Sequence, residues 1–298
     1  MVRAPSPKAV PQLVEAFSKS VAGDRLARWA TAICPYVMGL SKEQDGMVAQ
    51  RIGDVAKAAG IPIARGECEP NLMVFFSLTP DALDKNLALR SNYYFGVEPY
   101  GVDRVQLANF VREDGAPAHV FYVTGLAKAP GSGAANASGF NGSGITMGSS
   151  SEPGRAGGTI DPGGDGAQVL PDYRASRLAP HAEPSLQRVV LVIDGRRLSR
   201  VPITQVASYA AMVTLAEVRI AEPVKQVSTI TALFSDLDGG RTPAQDLTFW
   251  DRAYLGALYG AESQASFSSQ RSAMSDRIAH SIEVLNVPTA TGSRAPTP

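Results

Sequence analysis

The chain has little of what metal sites, nucleic-acid surfaces and membrane spans are built from. Its 298 residues include two cysteines and three histidines, too few for a Cys-rich zinc site. No two histidines stand at the i, i+4 spacing that brings two imidazoles to one metal. Lys and Arg total 28 against 28 Asp and Glu, so no positive excess awaits a phosphate backbone. The densest basic cluster, Arg196, Arg197 and Arg200, is short, and nucleic acid is not an expected partner. No stretch approaches the roughly 18 consecutive apolar residues of a membrane-spanning helix. The first residues, Met1 to Pro7, lack the apolar stretch of a signal peptide, although a mature exported chain would read the same way.

What is present is enough apolar material for a core, at 44% of residues. Leu13, Val14, Ala16 and Phe17 predict a short helix behind a polar arm, together residues 1–28. Trp29 to Leu40 reads as a strand. Met47, Val48, Ile52, Val55 and Ala56 recur at helical spacing, and Gly60 stands where a helix ends. Asn71 to Phe76 is an unbroken apolar run, the pattern of a strand covered on both faces. Thr79-Pro80 opens a helix to Leu89 with Thr79 as its cap, and a strand follows around Ala118–Val123. Val189 to Ile193 is the clearest strand. Pro202 opens a helix to about Arg219 that is apolar nearly all round and therefore central, with Glu217 on its wet side. Thr248 and Asp251 have capping-box spacing, and Ser268 to Leu285 forms a last amphipathic helix. This order predicts an α/β or α+β protein with a single mixed sheet and packed helices.

Between the strands the composition changes. Residues 129–185 are dominated by Gly, Ser and Pro and hold too little apolar surface to offset the entropy of ordering them. They read as a long Gly-rich insertion into one domain, residues 29–128 plus 186–287, with a loose tail at 288–298. The glycines form neither a dinucleotide fingerprint nor a phosphate loop. No Gly-x-Ser-x-Gly elbow occurs. The chain therefore offers no catalytic residue, metal ligand or cofactor site by motif. Cys34 and Cys68 each border an apolar segment. A disulfide between them would point to an oxidising compartment, and two unrelated core cysteines remain the alternative. Tyr93, Tyr94, Phe95 and Tyr100 form an aromatic cluster among turn residues, a candidate binding surface, with core packing of one or two of them as the equal alternative.

Several segments together resemble bacterial zincin-like proteins, of metallopeptidase fold. They are Trp29–Leu40, the helix carrying Val48-Ala49-Gln50-Arg51-Ile52, Pro70-Asn71-Leu72-Met73-Val74-Phe75, Val227–Phe234, and Leu247-Thr248-Phe249-Trp250-Asp251 through Ala257-Leu258-Tyr259. In that family the central helix carries His-Glu-x-x-His, two ligands and a general base. Here Gln205, Val206 and Tyr209 stand in the His, Glu and His places. An amide, an apolar group and a phenol do not hold zinc, and Val206 cannot deprotonate water. The resemblance thus implies a degenerate zincin-like scaffold without cofactor. The expected function is non-catalytic binding or structure in the bacterial cell envelope, periplasmic or secreted, with another envelope protein as partner. The rival is a hydrolase with an unrecognised Asp/Glu or altered metal site.

Overall fold

The computed structural model describes residues 6–18, 26–96, 104–128, 182–218, 227–261 and 267–286. Five strands form one sheet: β1 (Arg28–Trp29), β2 (Pro35–Met38), β3 (Leu72–Ser77), β4 (Ala118–Lys128) and β5 (Ala182–Asp194). The spine is β5. Along one side it pairs antiparallel with β4, from Ala118↔Ile193 to Lys128↔Ala182. Its other side is shared by two parallel neighbours, β1 at Ser185 and Leu186, then β3 from Val189 to Asp194. Outside β3 lies β2, again parallel. The protein is therefore mixed α/β with one mainly parallel sheet.

The helices are α1 (Val10–Phe17), α2 (Lys42–Ala58), α3 (Pro80–Leu89), α4 (Arg104–Phe110), α5 (Ile203–Leu215), α6 (Leu233–Asp238), α7 (Phe249–Gly260) and α8 (Phe267–Asn286). They cover both faces, which is why the strands read as continuous apolar runs instead of alternating ones. Leu72, Val74, Phe76, Val189, Leu191 and Ile193 face a large core built with α1, α2, α5, α7 and α8. Met73, Phe75, Val190 and Val192 face a smaller one with α3 and α4. A one-residue slip of β5 would exchange the two sets.

The central helix is buried continuously from Gln205 to Leu215. It stops earlier than the apolar periodicity suggests, and the reason lies at its end. The carbonyls of the last turn need donors that no further turn supplies. Tyr122 Oη donates to Val213 O at 2.8 Å, Trp29 Nε1 to Thr214 O at 2.9 Å, and Tyr259 Oη to Leu215 O at 2.6 Å. With three side chains from β4, β1 and α7 capping it, Ala216 turns to extended backbone. Glu217, expected on a wet helical face, is instead only 4% exposed and lies beyond the helix.

Other boundaries also shift. The segment Trp29–Leu40 divides into β1 and β2, because β1 joins β5 while β2 joins β3. The Asn71 side chain holds the break: Oδ1 accepts from Cys34 N at 2.7 Å and Nδ2 donates to Ala32 O at 3.0 Å. Thr79 makes no side-chain cap to α3; its N–H donates to Ser77 Oγ at 3.0 Å. The strand expected from Val189, in a domain expected to resume at residue 186, begins at Ala182, so residues 182–185 belong to the ladder, not to the Gly-rich segment. Residues 129–181 and 287–298 lie outside the described residues. Cys34 and Cys68, 34 positions apart, form a disulfide that ties the start of β2 to the loop before β3.

Candidate functional site

Ser41 starts α2 with a capping box: its Oγ accepts from Gln44 N, and the Gln44 side chain returns to Ser41 N. The helix then runs against α5. Val48, Ile52, Val55 and Ala56 point into the core, which leaves Met47, Arg51 and Asp54 on the side that flanks α5. Thr204 and Ser208, one turn apart on α5, face them, and Asp246 arrives from the segment between α6 and α7. Together they line a cleft of about 370 Å3.

The polar groups of the cleft bond to one another. Arg51 Nε donates to Ser208 Oγ at 3.1 Å, and Arg51 Nη2 pairs with Asp246 Oδ1. Ser208 Oγ donates to the same Oδ1 at 2.5 Å, as does Leu247 N at 2.7 Å. Burial raises the Asp246 pKa, but these donors outweigh it and hold the carboxyl below the usual range. An Asp so stabilised as the anion is a weak base, so its contact with Ser208 does not activate the hydroxyl.

The three positions singled out on α5 lie beside this cleft but do not open into a common site. Gln205, Val206 and Tyr209 are all buried. Gln205 Nε2 donates to Ala244 O. Val206 belongs to the large core. Tyr209 packs edge-on against Phe234, ring centroids 5.0 Å apart, and its hydroxyl is buried without a hydrogen-bond partner. Among the described residues, no group of three or more His, Cys, Asp or Glu is placed to hold a metal ion.

A second polar cluster forms at the carboxyl end of β3 and β5. His119 of β4 places Nδ1 2.5 Å from Asp84 Oδ2 of α3 and Nε2 3.2 Å from Asp114 Oδ1. The side chain of Asp84 is fully buried. The hydrogen bond to Asp84, then that to Asp114, raises the His119 pKa against the lowering effect of burial. Burial raises Asp84 in turn, against the pull of His119. With a carboxylate at each ring nitrogen, the imidazole clamps α3 to β4 and has no nitrogen left for a substrate proton. Asp84 went unnoticed in the sequence, but a signal existed. It sits three residues before Leu87, so both fall on one helical face, and a carboxylate on a buried face demands a partner.

The other expected positions scatter. Tyr93 is 74% exposed. Tyr94 is half-buried and stacks edge-on with Tyr93 and Phe75. Phe95 takes the core alternative, buried with Phe110 and Phe121 in the small core. Tyr100 falls outside the described residues. Asp251 caps α7 as its spacing predicts and also accepts from Ile230 N; burial raises its pKa to about 6.

No family model matches the chain, nor does any curated protein or solved structure. Among the described residues no helix is long and apolar enough to cross a membrane.

Proposed function

We propose that this is a non-catalytic binding protein of the bacterial cell envelope, with the cleft between α2 and α5 as its ligand site. The bonding inside the cleft carries this reading. Ser208, the hydroxyl best placed to act as a nucleophile, donates to a carboxylate that three donors keep anionic. A polar network satisfied in this way favours recognition over proton transfer.

The resemblance to zincin-like proteins enters as a proposal about ancestry of the scaffold, one whose metal positions have become core. The burial of Gln205, Val206 and Tyr209 supports it, because each side chain is used in packing or in a bond to backbone. The Cys34–Cys68 disulfide supports an oxidising compartment, and another envelope protein remains the expected partner.

Two measurements test the reading. The protein is incubated with excess Zn²⁺, dialysed, and its metal measured by mass spectrometry; stoichiometric retained zinc would overturn the metal-free scaffold. Fractionation of the native host then locates the chain. Recovery from the cytoplasm alone, with both thiols free, would remove the envelope assignment.

A further inference from the structure

We infer that the α2–α5 cleft binds a small monocarboxylate, and that Asp246 occupies the place of that carboxylate in the resting structure. The inference rests on the cleft being the binding site and names its ligand. Oδ1 of Asp246 takes hydrogen bonds from Arg51 Nη2, Ser208 Oγ and Leu247 N. The first two donors belong to the walls, on α2 and α5, not to the segment that carries Asp246. A guanidinium and a hydroxyl converging on one oxygen are the donor set that a carboxylate requires.

The walls and the occupant differ in how firmly they are held. Ser208 is buried in a helix that is itself buried from Gln205 to Leu215. The side chain of Asp246 is 54% exposed, and that of Arg51 32%. Residues 241–247 contain no helix or strand, so Asp246 can leave without breaking a regular element. Until it leaves, it competes as a tethered carboxylate at an effective concentration on the order of millimolar.

The remaining lining narrows the ligand. Met47, Ile203 and Ala207 offer apolar surface beside the donors. Asp54 lies one turn along α2 from Arg51, and a displaced Asp246 stays close. Two retained carboxylates repel a second negative charge, which selects a monocarboxylate with an aliphatic tail over phosphate or a polycarboxylate.

The test titrates the full chain with sodium acetate, sodium hexanoate and inorganic phosphate, followed by amide NMR shifts. Asp246→Ala is expected to tighten hexanoate on the order of tenfold over wild type. Hexanoate should exceed acetate by up to about fourfold per methylene that reaches the apolar lining. Arg51→Ala added to Asp246→Ala should abolish binding. Should Asp246→Ala fail to fold, Asp246→Asn carries the same comparison, because its amide oxygen still accepts from Leu247 N. The proposal is overturned if removing the Asp246 charge leaves hexanoate binding unchanged, if binding survives Arg51→Ala, or if phosphate binds more tightly than hexanoate. None of these results alters zinc content or location, so this proposal can fail while the non-catalytic reading stands.

Discussion

On one face of the sheet, Leu72, Val74, Leu191 and Ile193 meet a layer of helices in which α5 is buried from Gln205 to Leu215. The buried acids of that side lie at helix ends: Asp251 caps α7 and Glu217 follows α5. On the other face, Met73, Phe75, Val190 and Val192 meet a smaller, mostly aromatic core of Phe95, Phe110 and Phe121 under the short helices α3 and α4. There a buried titratable pair, Asp84 with His119, ties helix to sheet. The first face is held by apolar area, which does not depend on pH. The second adds a proton-dependent clamp to an apolar contact that is small for the strands it covers.

The largest expected effect sharpens this contrast. Leu191→Ala removes a fully buried side chain at the centre of β5 and should cost about 4 kcal/mol in chemical denaturation. That loss should be the same at pH 5 and pH 9. A loss that varied strongly with pH would mean that charge also controls the large face. Asp84→Ala should cost about 3 kcal/mol, since it removes the buried carboxylate that binds His119 Nδ1; a cost below about 1 kcal/mol, the level of a surface pair, would show the clamp to be idle.

The clamp also predicts a direction in pH. The folded-state pKa of His119 is raised, chiefly by its bond to Asp84. A raised value means that the folded protein binds the proton more tightly than the unfolded chain. The stabilisation is therefore complete below the ordinary histidine value of 6.5 and is lost as pH rises through the folded value. Asp251, raised to about 6 by burial, titrates below this window. Denaturation midpoints of wild type and His119→Gln, followed upward from pH 6.5, should converge with rising pH. Parallel curves would show that His119 is neutral in the folded state.

How much of this could be seen in the sequence follows the same division. The large face was legible because its signals are periodic: the nearly all-round apolarity of α5, the unbroken run of β5, and the Thr248–Asp251 spacing of α7. The boundary error at the end of α5 came from contacts distant in sequence. Local pattern carries α5 past Leu215, but Trp29, Tyr122 and Tyr259 supply donors that end it. The polar sites were harder. Arg51, Ser208 and Asp246 span 195 positions, and nothing local marks them as neighbours. Asp84 and His119 lie in different elements as well. The aromatic cluster Tyr93-Tyr94-Phe95 looked uniform in sequence, yet one turn of chain divides it between solvent and core, because direction around the backbone, not residue type, decides which ring is buried.

The smallest expected effect tests whether the large face is as dry as its packing implies. The Tyr209 hydroxyl is buried within it, with no hydrogen-bond partner, and desolvation alone pushes its pKa far upward. Burying a hydroxyl without a bond costs free energy that the unfolded chain, bonded to water, does not bear. Tyr209→Phe removes the oxygen and keeps the ring against Phe234, so it should stabilise the protein by about 1 kcal/mol, roughly 3 °C in Tm. A loss of similar size would mean that an internal water bonds the phenol, and that polar interactions reach into the large face as well. The sign of this one substitution therefore decides whether charge and hydrogen bonding are confined to the rims of that core or run through its centre.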